Sequence, residues 1–411
     1  MKKFKHLFLV LLSMCTFAAC SDNDDDNNNE KEAAERALCW GEEMKGYDQS
    51  LKAFPDIFAC YWEYTFNAEA NPNVGLKIEG EYPNTRFFNF TIYNDETQVD
   101  ESSIEDVNIK PNNGSVNPYV QENAGKNNKY TIYIIPNNTP SDKRTSMNNV
   151  CEFDKDVKVV STILRHYIAQ PDDMGGVLLP KITAFNVTTG KNVTLPKREM
   201  CGLRGDITVP GGAFGSAANM NFFRAPFSMM YPNRPTEYLY NRNTLEENEV
   251  MAFNFKAPHA PETVSEYPTA DVRYWSICLG AQSTLSYNSI YDHNVKIDNN
   301  GMANFVIAAK NSANISNIRK KCEENGYNLM EWDRETAGKG IMILYRNMVI
   351  NESFEHSMRQ VRVFLPSEAA PYPTPATDFA HKAMGEWGPY GNKITEEQFL
   401  NASYTLSSIK R

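Results

Sequence analysis

The chain has 411 residues, a formal charge of −10, 22% charged residues and 12% aromatic residues. An acidic body argues against nucleic acid and anionic lipid as partners. The aromatic content is enough for a large core, so the chain reads as globular apart from its N-terminus.

Lys2, Lys3 and Lys5 precede an apolar stretch of 11 residues, Leu7 to Phe17, broken only by Ser13 and Thr16. It is too short to span a bilayer and suits a secretory signal. Phe17-Ala18-Ala19-Cys20 resembles the lipobox of bacterial lipoproteins, although Phe17 stands where Leu is usual. The resemblance implies cleavage after residue 19 and lipidation (palmitate among the acyl chains) at Cys20; an ordinary secretory signal with Cys20 as a plain thiol is the alternative. Removing residues 1–19, which hold three Lys and no acid, leaves a charge of −13. The run Ser21 to Asn29 holds only Ser, Asp and Asn and reads as a solvated tether. As an EF-hand loop it fails, because Asn27 stands where Gly is required. Acidic residues directly after a lipidated Cys resemble a surface-export signal. The expected location is therefore the outward face of the outer membrane, with the lipid at Cys20 as the sole anchor.

Six cysteines remain in the mature body: Cys39, Cys60, Cys151, Cys201, Cys278 and Cys322. They allow three disulfides in an oxidising compartment, in any of about 15 connectivities, or a set of scattered buried thiols.

From residue 54 onward the chain repeats itself. Phe54-Pro55-Asp56 ahead of Tyr61-Trp62 is matched by Tyr231-Pro232-Asn233 ahead of Tyr238-Leu239. An apolar strand from Val74 to Ile78 is matched by Val250 to Phe255. Glu81-Tyr82-Pro83 with Arg86-Phe87-Phe88-Asn89 is matched by Glu266-Tyr267-Pro268 with Arg273-Tyr274-Trp275-Ser276. Then come Ser103-Ile104-Glu105-Asp106 and Ser289-Ile290-Tyr291-Asp292, and Asn112-Asn113-Gly114 and Asn299-Asn300-Gly301. Tyr130 to Ile135 pairs with Ala303 to Ala308, and Ile163-Leu164-Arg165 with Leu344-Tyr345-Arg346. Matches in one order with loop-sized changes of offset indicate an internal duplication of about 115 residues per copy.

Each copy reads as β. Phe88, Phe90 and Ile92 alternate with Asn89, Thr91 and Tyr93, as Trp275, Ile277 and Leu279 do with Tyr274, Ser276 and Cys278, which predicts half-buried strands. Thr189-Gly190, flanked by Val187 and Val193, predicts a hairpin within 185–195. Ile315, Ile318 and Cys322 share a helical face ahead of Asn325-Gly326, and Phe354, Met358 and Val361 form a second such stripe. The expected fold is mainly β with a few helices (α+β second), as two tandem β-sandwich-like repeats. The expected divisions are 1–19 signal, 20–45 tether, 46–170 first repeat, 171–225 linker with hairpin, 226–365 second repeat and 366–411 C-terminal tail.

Arg273-Tyr274-Trp275-Ser276, the Gly175-Gly176-Val177-Leu178-Leu179-Pro180 run after Leu164-Arg165-His166-Tyr167, and Tyr345-Arg346-Asn347-Met348 with Phe354 resemble an uncharacterised family of secreted bacterial proteins. The resemblance covers roughly residues 50 to 365. Arg-Tyr-Trp-Ser also resembles a strand of a β-rich domain of unknown function. Neither resemblance implies an activity, and the first copy departs from the motif with Arg86-Phe87-Phe88-Asn89.

No catalytic constellation is written in the sequence. There is no G-x-S-x-G elbow. His166, His259, His293, His356 and His381 lack metal-ligand spacing, so neither metal nor cofactor is expected. Gly211-Gly212-Ala213-Phe214-Gly215 lacks the Lys of a phosphate loop. The first functional expectation is extracellular ligand binding, with a glycan as candidate and Tyr238, Tyr240, Tyr287, Tyr291 and Trp332 as candidate stacking rings. A hydrolase using an Asp/Glu pair and a structural envelope protein are the alternatives. Arg86 with Asp106 and Arg273 with Asp292 are expected as ion pairs within each copy, because a charge on an apolar strand face needs a partner.

Overall fold

The computed structural model describes residues 39–47, 53–122, 124–195, 216–224, 231–363 and 379–410. The signal, Cys20, the tether as far as residue 38, Cys201 and the 211–215 loop lie outside the described residues.

The first half contributes β1 (Met44–Lys45), β2 (Ala59–Asn67), β3 (Val74–Glu81), β4 (Phe87–Asn94), β5 (Val99–Glu105), β6 (Lys129–Pro136), β7 (Val150–Phe153), β8 (Val159–Tyr167) and β9 (Lys181–Asn186). The second contributes β10 (Asn219–Asn221), β11 (Phe223–Arg224), β12 (Thr236–Thr244), β13 (Glu249–Lys256), β14 (Val272–Gly280), β15 (Ser286–Tyr291), β16 (Met302–Ala309), β17 (Asn328–Trp332), β18 (Gly340–Ile350) and β19 (Tyr390–Thr395). Mainly β is the observed class, and the duplication is visible in the strand order. The sheet β2-β8-β4-β5 recurs as β12-β18-β14-β15, and β7-β6-β3-β9 recurs as β17-β16-β13-β19. Both copies pair their one parallel neighbour at the same place, β6 with β7 and β16 with β17. Both bulge at the same place too, at Ile92/Tyr93 and at Leu279/Gly280.

Three of the expected divisions need correcting. Residues 39–45, read as the end of the tether, belong to the fold: Trp40 is fully buried in the first core and β1 pairs antiparallel with β2. The segment read as a linker supplies β9, an antiparallel partner of β3. The tail read as lying beyond the second repeat supplies β19, the same partner for β13. Each repeat therefore extends its outer sheet with a strand that arrives after a long excursion, too far along the chain for local pattern to assign, and in the second repeat β10 pairs beyond it. The hairpin near Gly190 forms, with Gly190 at φ +71° and Asn186 N–H donating to Lys191 O, but as an extension of β9.

Within each repeat the two sheets face each other. Trp62, Ile78, Phe88, Phe90, Ile132 and Leu164 fill the first core. Phe253, Phe255, Trp275, Ile277, Phe305 and Tyr345 fill the second. Here Phe305 stacks on Phe253 (5.0 Å, 10°) and Phe255 (5.7 Å, 8°). The helix Ile315–Glu324 covers the outer face of the β13–β16 sheet, with Ile318 and Cys322 against Val250 and Val306. The second expected helix is absent: 354–361 forms only a 3-10 turn at Met358–Gln360. The Asn351 side chain caps the Ser353 N–H and hydroxyl, which competes with helix nucleation in so short a span. Phe354, Met358 and Val361 are nonetheless buried in the second core.

The strands read as half-buried are buried on both faces. Tyr61, Phe87, Tyr93, Ile163 and Tyr167 of the first inner sheet pack on Tyr274 and Met348 of the second and on Tyr231, which precedes β12. The alternation was correct, but the face with Asn, Ser and Tyr meets the other repeat instead of water. The described cysteines Cys39, Cys60, Cys151, Cys278 and Cys322 are free thiols, all but Cys39 buried, so the three-disulfide alternative does not hold.

His166 on β8 is 4% exposed, set edge-on to Trp62 and Phe88, with Nδ1 3.1 Å from Asp173 O. Burial pushes its imidazole down to about 4. Between about pH 6.5 and 4 the unfolded chain binds a proton that the folded chain refuses, so stability falls as pH falls, by roughly 3 kcal/mol across the window. Below that window both states are protonated and the loss stops. Urea unfolding of wild type and His166→Phe should give a difference that is flat above pH 7 and tilts between 6.5 and 4; parallel curves would refute the assignment.

Candidate functional site

The repeats exchange their charges. Arg86 Nη2 donates to Asp292 Oδ1 at 3.2 Å, and Arg273 Nη1 donates to both oxygens of Asp106 at 3.3 and 3.2 Å. Each Asp also accepts from its own repeat: Phe88 N–H donates to Asp106 at 3.2 Å and Trp275 N–H to Asp292 at 2.8 Å. All four residues are ion-paired, but the expected partners were wrong, since each Arg pairs with the Asp of the other repeat. Arg and Asp stand at the same end of each inner sheet, at the start of β4 or β14 and just after β5 or β15. When two such sheets pack face to face in two-fold fashion, the partner across the interface is the one within reach. The Tyr267 ring lies 3.3 Å from the Arg273 guanidinium carbon, a cation–π contact that accounts for one repeated Tyr.

A second exchange runs through segments to which the sequence reading gave no role. Phe54-Pro55-Asp56 reaches the second repeat, where Asp56 Oδ2 accepts from Tyr274 Oη (2.9 Å) and Ser276 Oγ (2.7 Å). Tyr231-Pro232-Asn233 reaches the first, where Asn89 Nδ2 donates to Asn233 Oδ1 at 2.7 Å. Arg346 donates to Phe54 O and Arg165 to Tyr231 O. Phe54 and Tyr231 both hold positive φ, 48° and 53°. Gly280, at the position of Tyr93, is needed here: a Cβ would stand 2.5 Å from the Phe54 ring. The recurrence of Arg165 and Arg346 inside apolar runs was the signal that could have found this network.

An open groove lies on the second repeat. It measures about 530 Å³ and is bounded by the 257–262 loop, Asp271, the 292–301 segment and Trp387. Its apolar wall includes Pro258, Ile297 (50% exposed) and the half-buried Trp387, which packs edge-on against Phe354 (5.1 Å) and flat against His356 (5.9 Å, 9°). Its polar groups are His259, Glu262, Asp271, Asp292 and His293. Asp271 accepts from His259 N–H at 2.8 Å and Asp292 is held by Arg86 and Trp275, which leaves Glu262 as the carboxylate at the exposed rim.

The expected stacking rings lie elsewhere. Trp332 is fully buried, and its Nε1–H donates to Gly338 O at 2.8 Å. Tyr287 packs edge-on against it. Tyr291 stacks on Tyr274 in the inter-repeat layer, Tyr238 lines the cavity between repeats, and Tyr240 packs on Phe223. None of the five lines the groove. Glu43, Cys60 and Asp173 approach one another closely enough for a metal. The Lys45 ammonium already bridges the two carboxylates, and burial pushes the Cys60 thiol up, away from the ligating thiolate.

No family model and no curated protein matches the chain. Among solved structures it is similar to an uncharacterised protein from Burkholderia cenocepacia (8% identity, 92% of this chain and 91% of that chain covered, TM-score 0.47). It is also similar to a protein from Vibrio parahaemolyticus (9% identity, 79% and 96% covered, TM-score 0.39). The functional reading rests on this chain's own residues.

Proposed function

We propose that this is a lipid-tethered, outward-facing binding protein whose ligand, a glycan as first candidate, sits in the groove of the second repeat. The observation that carries the reading is the groove itself. Its volume of about 530 Å³ is of ligand size, and it sets Trp387 and Ile297 beside imidazoles and carboxylates. Sugar rings present apolar C–H faces to such a wall and hydroxyls to such polar groups. Binding is favoured over hydrolysis because glycoside cleavage needs two carboxylates available to substrate. Of the three that line the groove, Asp271 and Asp292 are committed to backbone N–H groups and Arg86. The lipid and the location rest on the N-terminal sequence.

A polysaccharide array and isothermal titration on the soluble chain from Ser21 onward test the reading. A retained glycan is expected, without release of product. Trp387→Ala and the rim variant Glu262→Ala should each weaken binding about tenfold or more, about 1.4 kcal/mol. Absence of binding to any polysaccharide, or binding that both variants leave unchanged, would overturn it.

A further inference from the structure

We propose that the cavity between the two repeats is a binding site for one small monovalent anion of chloride size, held by Arg165 and Arg346. The cavity measures about 50 Å³ and is lined by both arginines, Asp56, Asn233, Tyr61 and Tyr238. Arg165 and Arg346 are each 3% exposed. Arg165 spends Nη2 on Tyr93 Oη (2.6 Å) and Tyr231 O (3.0 Å); Arg346 spends Nη2 on Phe54 O. The Nη1 of each is buried with no hydrogen-bond partner.

The charges do not balance. Among the described residues the one carboxylate within 4 Å of either guanidinium is Asp56, 3.7 Å from Arg346 Nη1. Its oxygens already accept from Tyr274, Ser276 and Phe58 N–H. Where repeat symmetry would place a second carboxylate beside Arg165, the chain has Asn233, which carries no charge. The tyrosines do not make up the difference, since burial pushes the Tyr61 phenol up and keeps it neutral. Two guanidiniums against one carboxylate leave one uncompensated buried charge, which is costly. A water needs about 10–15 Å³ of such volume, so the cavity has room for a monatomic anion and an accompanying water. Water would satisfy the Nη1 donors but not the charge. The site is independent of the groove on the second repeat.

The test is thermal unfolding of the soluble chain at fixed ionic strength, with sodium gluconate replaced stepwise by chloride or bromide. A saturable rise in Tm of a few degrees is expected with either halide. Asn233→Asp supplies the missing carboxylate, so this variant should lose the rise in Tm on replacing gluconate by halide, or need at least tenfold more halide for it. A bromide-soaked crystal should show an anomalous peak at hydrogen-bond distance from both Nη1 atoms. A Tm indifferent to halide, or an equal halide response in Asn233→Asp, would overturn the proposal. Should Asn233→Asp not fold, the bromide peak decides: its presence at the two Nη1 atoms supports the site and its absence there refutes it.

Discussion

Asp106→Ala should destabilise the protein by about 3–5 kcal/mol, because it strands the Arg273 guanidinium at a site 4% exposed. The pair itself is not a large net stabiliser. Burial pushes the Asp106 carboxyl up to about 6 even against the pull of Arg273. The loss therefore comes from breaking the pair, and replacing both partners together, Asp106→Leu with Arg273→Met, should cost far less than either change alone. The informative measurement is a set of double-mutant cycles by urea unfolding. Arg273 should couple to Asp106 by about 1–3 kcal/mol and to Asp292 by close to nothing. Arg86 should show the reverse preference, at smaller size because its side chain is partly exposed. Coupling confined within each repeat would contradict the exchanged arrangement.

The second large effect is in the cores. Trp275→Ala and Phe88→Ala should each cost about 3–5 kcal/mol. Trp275 is 1% exposed, set edge-on to Phe255 (5.5 Å) and Tyr345 (5.9 Å), and its Nε1–H donates to Pro258 O at 3.2 Å. Phe88, at the equivalent place in the first repeat, is fully buried among Tyr82, Tyr119 and Tyr130. Because the inner sheets form one continuous packed layer, unfolding should stay a single transition in both variants. Two separated transitions in calorimetry, with only the mutated repeat lost early, would show the layer to be weaker than its tyrosines and ion pairs imply.

Much of this architecture was legible in the residues. The duplication, the strands through Phe88 and Trp275 and the helix through Ile318 and Cys322 all follow from spacing, because local periodicity governs them. What was not legible depends on which surface meets which. In a duplicated chain, Asp106 is as good a partner for Arg86 as for Arg273 when only the sequence is read; the packing of the inner sheets decides it. The same packing buries Tyr274 and Ser276, which alternation alone assigns to water. Strands β9 and β19 were missed because each returns to its sheet across a long intervening segment. The groove escaped notice because it draws on residues 257 to 387, brought together only by the fold.

The exchanged pairs are the contact that two separate copies of one repeat would make about a two-fold axis: Arg to Asp, Asp to Arg, and each Phe-Pro or Tyr-Pro arm across to its neighbour. A dimer of identical chains is bound by that axis. Any residue it places on one side it must place on the other, so two like charges facing each other can be relieved only by changing both at once. Joining the copies in one chain removes the constraint. Asp56 and Asn233, or Tyr93 and Gly280, can then diverge by single substitutions, while the link holds the halves at high effective concentration. The fused chain has lost half its symmetry and gained a place where the two halves are chemically distinct.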